Sequence, residues 1–171
     1  MAEIVELVVE DDRWQAVDLA ALAERGVRLG LTAAGLAAPV EVAVLACDDA
    51  RIAALNGRYR SNPRPTNVLS WPVLNLVPAT PGALPPPPEA PVLAADPHLG
   101  DIALAYDTVV AEARAASISL DHHVLHLILH ATLHLLGYDH ELEADAATME
   151  RLEVDALASI GIASPYGAAL G

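Results

Sequence analysis

The sequence predicts a fold of mixed α and β elements: one domain over residues 1–171 in which short strands alternate with about five helices. Its 171 residues suit one domain, and 54% hydrophobic content supplies a core of Leu, Val, Ile and Ala, because Phe is absent. Short Val-rich runs alternate along the chain with longer stretches of helical periodicity. This alternation, from the start of the chain, predicts a domain that contains both helices and strands.

The first half of the chain is predicted to hold two strands, each followed by a helix: a strand at 4–9, a helix at 14–31, a strand at 40–47 and a helix from 49 to 55. Both strands are rich in Val, and the second alternates in character along its length. The helix at 14–31 has apolar positions flanked by charged ones. Asp48 and Asp49 supply a cap for the shorter helix, and Asn56-Gly57 ends it.

The second half is predicted to hold two strands and three helices: strands at 67–73 and 102–106, and helices at 107–118, 121–136 and 141–160. Asp121 caps the middle helix, which is apolar on nearly every side, and Gly137 stops it. The last helix is amphipathic, with acids opposite its apolar face. Repeated prolines predict a polyproline-type loop at 76–97, which we interpret as a mobile excursion between strands rather than a partner-binding segment.

Cysteine use and hydropathy indicate the compartment. Cys47 is the single cysteine, so the chain has no intramolecular disulfide and no cysteine-based zinc cluster. The first residues are acidic, unlike the basic start of a secretory signal. The apolar stretch at 29–40 is broken by Gly and Pro and is far shorter than the roughly 20 residues of a membrane span. We therefore expect a cytoplasmic protein without a membrane segment.

Charge is distributed unevenly. The net charge of −14 speaks against indiscriminate binding of nucleic acid. However, Arg51, Arg58, Arg60 and Arg64 fall in a stretch from 50 to 88 that contains no Asp or Glu. One positive patch is thus predicted on an acidic protein. Any binding of a phosphate backbone to this acidic protein should therefore be weak and sensitive to salt.

The strongest chemical signal is a group of histidines at the end of the apolar helix. His130 and His134 are four residues apart, so their imidazoles lie on one helix face, and Gly137 lets the chain return His140 as a third ligand. Three neutral imidazoles leave the full charge on a zinc ion, which lowers the pKa of a bound water to about 7. This predicts a zinc site with an open fourth position on a metalloprotease-like histidine helix.

The histidines have two other interpretations. Core histidines satisfied by their neighbours are the simpler one, but three at this spacing favour a metal. The pattern also resembles that of extended zinc proteases, in which a Glu follows the first His as general base. Here that position is Ala131, which cannot accept a proton. His126, one turn earlier, is either a partner of the ligands or a packing residue.

The segment HATLHLLGYDH, residues 130–140, resembles the H-G-x-L-H-L-x-G-Y-D-H signature of the YbeY endoribonucleases, bacterial rRNA maturation factors. Two further blocks are similar to that family: Leu55-Asn56 with Tyr59-Arg60 and the run PTNVLSWP at 65–72, and then Gly100-Asp101-Ile102. Departures are Ala131 for the signature Gly, Trp71 for Phe, a missing acid within 61–64 and a longer Pro-rich loop. None of them removes a histidine.

The resemblance implies a compact α+β domain with a small mixed β-sheet packed with about five helices, and one zinc ion per chain, held by His130, His134 and His140. It implies cleavage of single-stranded RNA in small-subunit ribosomal RNA maturation and ribosome quality control. The expected partners are that RNA, the small ribosomal subunit and basic ribosomal proteins, with no role for DNA. Arg60 matches the functional arginine of the family and would neutralise charge on the transition state, since its planar fork meets two phosphate oxygens.

Further residues are expected to act in catalysis or in RNA binding, and some of them have an alternative structural role. Asp139 is expected to act in catalysis, by orienting a ligand or serving as a base, or else to cap the loop. Arg58 and Arg64 are expected to guide RNA, and Trp71 to stack on a base or fill the core. Two competing functions stay open: a ribosome-assembly factor with structural zinc and no catalysis, and, less favoured, a zinc peptidase.

Overall fold

A four-stranded mixed sheet forms the centre of this computed structural model, which describes residues 4–37 and 39–166. The strands are Val5–Val9 (β1), Glu41–Cys47 (β2), Val68–Pro72 (β3) and His98–Ala105 (β4). They are ordered β1-β2-β4-β3, with β1, β2 and β4 parallel and β3 antiparallel to β4. The predicted α+β class with a small mixed sheet is confirmed.

Helices cover the sheet. Within the described residues they are a short 3-10 helix at Asp12–Ala16 and six α-helices: Leu19–Ala33 (α1), Asp49–Arg60 (α2), Ala90–Ala95 (α3), Tyr106–Ala116 (α4), Leu120–Leu135 (α5) and Glu143–Ala158 (α6). No helix in the described ranges is both long and apolar enough to cross a membrane. The expected set of about five helices gains α3, which lies inside the Pro-rich segment.

Helix α5 is buried at the centre of the fold, as its apolar residues predict. It contacts α1, α4, α6 and the strands β3 and β4. Two glycines of α1 allow its close approach to α5: a Cβ on Gly26 would lie 2.7 Å from Ile128 Cγ2, and one on Gly30 would lie 2.6 Å from Thr132 Cγ2. A helix held this tightly is a rigid support for the histidines that it carries.

Helix α2 is longer than predicted, and this difference places a site residue. Asn56-Gly57 does not end it; the helix continues to Arg60 and ends at Ser61, whose φ is 55°. The Asn56 side chain donates a hydrogen bond to the Arg64 carbonyl at 3.0 Å, and Gly57 packs against Pro63. The glycine therefore serves close packing rather than chain reversal. Arg60 consequently lies on the last turn of the helix.

Other boundaries also differ from the prediction. The helix predicted at 14–31 is broken, because Asp18 caps α1 by accepting a hydrogen bond from the Ala21 amide. Ser119 rather than Asp121 caps α5, by accepting from the His122 amide. Strand β4 begins at His98, four residues before the predicted strand, because β2 pairs with those residues.

The Pro-rich segment 76–97 is more structured than a polyproline loop. Pro91 lies in the first turn of α3, where its missing N–H costs nothing, and Leu93 is buried. Gly82 is tied to α6: its amide donates to Asp145 Oδ1 at 2.7 Å, and its carbonyl accepts from the Thr148 hydroxyl at 2.8 Å. The segment joins β3 to β4, as predicted, and part of it is docked on α6.

Candidate metal centre

Three histidine rings converge where α5 ends. The Nε2 atoms of His130 and His134 lie 3.1 Å apart on successive turns. His140 approaches from the following loop, with its ring centroid 5.4 Å from that of His130 and 5.0 Å from that of His134. One nitrogen of each ring lies within 4.8 Å of the others. The structure therefore brings together the three ligands predicted from the sequence.

A tight turn after α5 returns His140 to the other two rings. Gly137 has a φ of 100°, a conformation that side-chain-bearing residues rarely adopt. A Cβ at this position would lie 1.9 Å from the Leu76 carbonyl oxygen. Asp139 Oδ1 then accepts a hydrogen bond from the His140 amide at 2.7 Å. The start of the Pro-rich segment and the loop of the third histidine are thus packed directly together.

We expect Gly137→Ala to destabilise the fold by about 3 kcal/mol, because positive φ and the collision with Leu76 both penalise a side chain. Gly35→Ala is the matched control: Gly35 also has positive φ, 73°, but open space around it, so a loss of about 1 kcal/mol is expected. Urea unfolding of both variants measures the difference. Equal losses would contradict the role of the Leu76 contact.

The protonation of His134 suits metal binding. Burial, together with the neighbouring His130 and His140, lowers the pKa of His134 to about 4. Its Nδ1–H donates to the Tyr138 carbonyl at 2.9 Å, so Nε2 keeps its lone pair and points toward His130. His140 is exposed, which leaves one side of the group open. A neutral three-nitrogen donor set with an open side fits a catalytic metal ion.

The three histidines lie on the wall of an open cleft of about 880 Å³. Arg60, Asp139 and His126 line the same cleft, and Ala131 contributes only a methyl group. Other parts of its wall come from β3, from the start of the Pro-rich segment and from Tyr166. The cleft therefore collects residues from both halves of the chain.

Arg60 is held by the strand that it faces. Its Nη2 donates to the Ser70 carbonyl, and its Cζ lies 6.0 Å from the centre of the Trp71 ring. In the described part of the chain it forms no ion pair with a carboxylate, although the protein is rich in acids. Arg60 is thus an exposed cation on the cleft wall that keeps donors available for an anion.

The other predicted substrate-binding residues lie outside the cleft lining. Of the residues described, Arg58, Arg64 and Trp71 are not among those that line it. Arg58 lies over the Tyr59 ring with its Cζ 5.3 Å from the centroid, and Tyr59 meets Trp71 edge-on at 6.0 Å. Trp71 is half-buried against a small cluster under β3. Arginines and aromatic rings thus alternate on the surface next to the cleft.

Sequence reasoning missed two residues behind the histidines, Glu153 and Tyr166. Glu153 of α6 is fully buried; its Oε1 is hydrogen-bonded to His130 Nδ1, and its Oε2 accepts from the Tyr166 hydroxyl. Burial alone would raise the pKa of Glu153, but polar contacts with His126, His130 and Tyr166 outweigh it and lower that pKa to about 2. His126 Nε2 lies 3.6 Å from Glu153 Oε2.

A signal for Glu153 was present in the sequence. Met149 and Leu157, one turn before and one turn after it, are both buried, so Glu153 occupies the apolar face of α6. The prediction placed the acids of this helix on the opposite face, which is wrong for Glu153. A lone carboxylate at a core position of an amphipathic helix indicates a buried polar partner.

Comparison with known proteins decides the family. The family model described as endoribonuclease YbeY matches residues 7–161. The chain belongs to the YbeY endoribonuclease family. A YbeY endoribonuclease of Dinoroseobacter shibae is 54% identical over 165 residues, covering 95% of this chain and 90% of its own. One of Cereibacter sphaeroides is 47% identical over 169 residues, covering 97% of this chain and 100% of its own.

One solved structure is similar to this chain in fold. The solution structure of a Thermotoga maritima protein superposes with a TM-score of 0.53 at 20% identity, covering 91% of each chain. The family model and the two relatives confirm, as family membership, the resemblance stated from the histidine signature. The YbeY departures at Ala131 and Trp71 leave the geometry of the three histidines in place.

Proposed function

We propose that this protein is a zinc-dependent endoribonuclease that cleaves single-stranded ribosomal RNA, in small-subunit maturation and ribosome quality control in the cytoplasm. The observation that carries the proposal is the convergence of His130, His134 and His140 in an open cleft that also holds Arg60. Membership of the YbeY family supports RNA as the substrate. When bound, a zinc ion supplies Lewis acidity toward a phosphate oxygen and acidifies water.

Side chains of the protein itself bind the RNA and stabilise the transition state. Arg60, anchored by one nitrogen to Ser70, presents its other donors to the scissile phosphate and neutralises developing charge. Arg58 and Arg64 attract the RNA backbone, and Trp71 offers a surface on which a base stacks. Acidic residues also line the cleft, namely Asp139, Glu141 and Asp145. RNA binding therefore depends on the cations, and basic proteins of the small ribosomal subunit assist it.

Cleavage of a labelled single-stranded RNA tests the proposal, with the same strand annealed to its complement as the control. We expect cleavage of the single strand alone, loss on chelation and recovery when zinc is restored. Raising the salt concentration should weaken binding of the isolated protein steeply. Tight zinc binding without cleavage of free or ribosome-bound RNA would instead identify an assembly factor.

Asp139→Asn separates a catalytic Asp139 from one that only caps the loop. Asn keeps an oxygen that accepts from the His140 amide, so the turn and the zinc affinity should persist. The negative charge is lost, and we expect cleavage to fall about 10²-fold, as for removal of a general base. Single-turnover cleavage of the same RNA measures it. Parental cleavage rates would assign Asp139 to loop capping.

A further inference from the structure

Glu153 occupies the space behind the first histidine ligand. Its carboxylate is 0% exposed and lies on α6, 23 residues along the chain from His130. Oε1 is hydrogen-bonded to His130 Nδ1, and Oε2 accepts from the Tyr166 hydroxyl. The Tyr166 oxygen also lies 3.4 Å from His126 Nε2. Both carboxylate oxygens are therefore engaged, as burial of a charge requires.

These contacts determine which nitrogen of His130 carries its proton. A carboxylate can only accept hydrogen bonds, so Nδ1 is the protonated nitrogen and Nε2 carries the lone pair. His134 reaches the same state through the Tyr138 carbonyl. The two Nε2 atoms, 3.1 Å apart, then present two lone pairs to one another. That arrangement is repulsive unless a cation lies between them.

We propose that Glu153 is a positioning residue of the metal centre. Its carboxylate fixes the Nδ1–H tautomer and the ring orientation of His130, and the Tyr166 hydroxyl holds the carboxylate in place. The proposal rests on the proposed function only in taking His130 as a ligand. Carboxylates hydrogen-bonded to ligand histidines raise metal affinity, and their removal typically weakens it about 10–100-fold.

A second metal ion is the competing use of the same residues. Ligand atoms of His126, His130 and Glu153 also lie within 4.8 Å of one another. However, an ion there would displace the proton from His130 Nδ1 and compete with the Tyr166 hydroxyl for Glu153. The contacts favour a hydrogen-bonded support, and zinc stoichiometry distinguishes the two.

The test compares Glu153→Gln with Asp155→Asn, which removes one charge from the exposed side of the same helix. Nitrogen-15 NMR of histidines in the zinc-free full chain reports the tautomer, and competition with a chromophoric chelator reports zinc affinity and stoichiometry. For Glu153→Gln we expect the Nε2–H form of His130 to become populated and zinc affinity to fall about 10–100-fold. Asp155→Asn should match the parent.

Several outcomes would overturn the positioning role. An unchanged tautomer with zinc affinity within about twofold of the parent is one. Two zinc ions in the parent and one in Glu153→Gln is another, because Glu153 would then be a ligand. If circular dichroism shows that Glu153→Gln is unfolded, Tyr166→Phe decides: a loss of zinc affinity of about threefold or more supports the role, and parental affinity overturns it.

These measurements do not require RNA cleavage. A protein whose zinc affinity depends on Glu153 but which cleaves no RNA would contradict the ribonuclease function and leave the positioning role in place. Zinc-dependent RNA cleavage by the parent, with the His130 tautomer and the zinc affinity unchanged in Glu153→Gln, would support the ribonuclease function and contradict the positioning role.

Discussion

His134→Ala should abolish zinc binding at the cleft and lower RNA cleavage by at least about 10³-fold. The histidine supplies one of three converging nitrogens, and its Nε2 faces that of His130 at 3.1 Å. A catalytic metal contributes several kcal/mol to transition-state stabilisation, and each 1.36 kcal/mol is about tenfold in rate. Zinc content after dialysis and single-turnover cleavage of labelled single-stranded RNA measure the two effects.

His122→Ala is the matched control for this loss. His122 lies on the first turn of the same helix and is exposed, and its backbone rather than its ring completes the cap with Ser119. Its removal should leave zinc content and cleavage unchanged. Because the His134 ring is partly buried, His140→Ala repeats the test at an exposed ligand. Parental cleavage by a folded, zinc-free His140→Ala protein would contradict a metal-dependent reaction.

The cluster of three histidines could be predicted from the sequence because its geometry is local. Two histidines four residues apart on a helix must share a face, and Gly137 can take the positive φ that turns the chain back. His140 follows within a few residues, so little depends on the rest of the fold. Most strands and helices could be predicted in the same way, since Val-rich runs and helical periodicity are local patterns. The mixed sheet was implied by the family resemblance.

Contacts between residues far apart in the sequence could not be predicted from such local patterns. Glu153 reaches His130 only through the packing of α6 on α5, and Tyr166 reaches Glu153 from beyond the end of α6. The predicted helix end at Asn56-Gly57 is wrong because the packing of Pro63 on Gly57 overrides a local stop signal. In each case tertiary packing decided between alternatives that the local sequence left open.

Arg60→Ala should lower kcat by about 10²–10³-fold while zinc affinity stays at the parental value. Arg60 lines the cleft with the three histidines, and no carboxylate of residues 4–37 or 39–166 is ion-paired with it. Its charge is therefore available to the phosphate, and loss of a donor aimed at developing negative charge costs about this much. Single-turnover cleavage and chelator competition give the two values.

Arg60→Lys and Arg114→Ala show whether shape and position matter as well as charge. Lysine keeps the charge but loses the planar fork, so recovery should be partial. Arg114 is an exposed arginine of α4 that does not line the cleft, and its removal should change little. Equal losses in Arg60→Ala and Arg114→Ala would mean that only the overall charge of this acidic protein matters. A loss confined to Arg60 places the phosphate at the cleft wall beside the histidines.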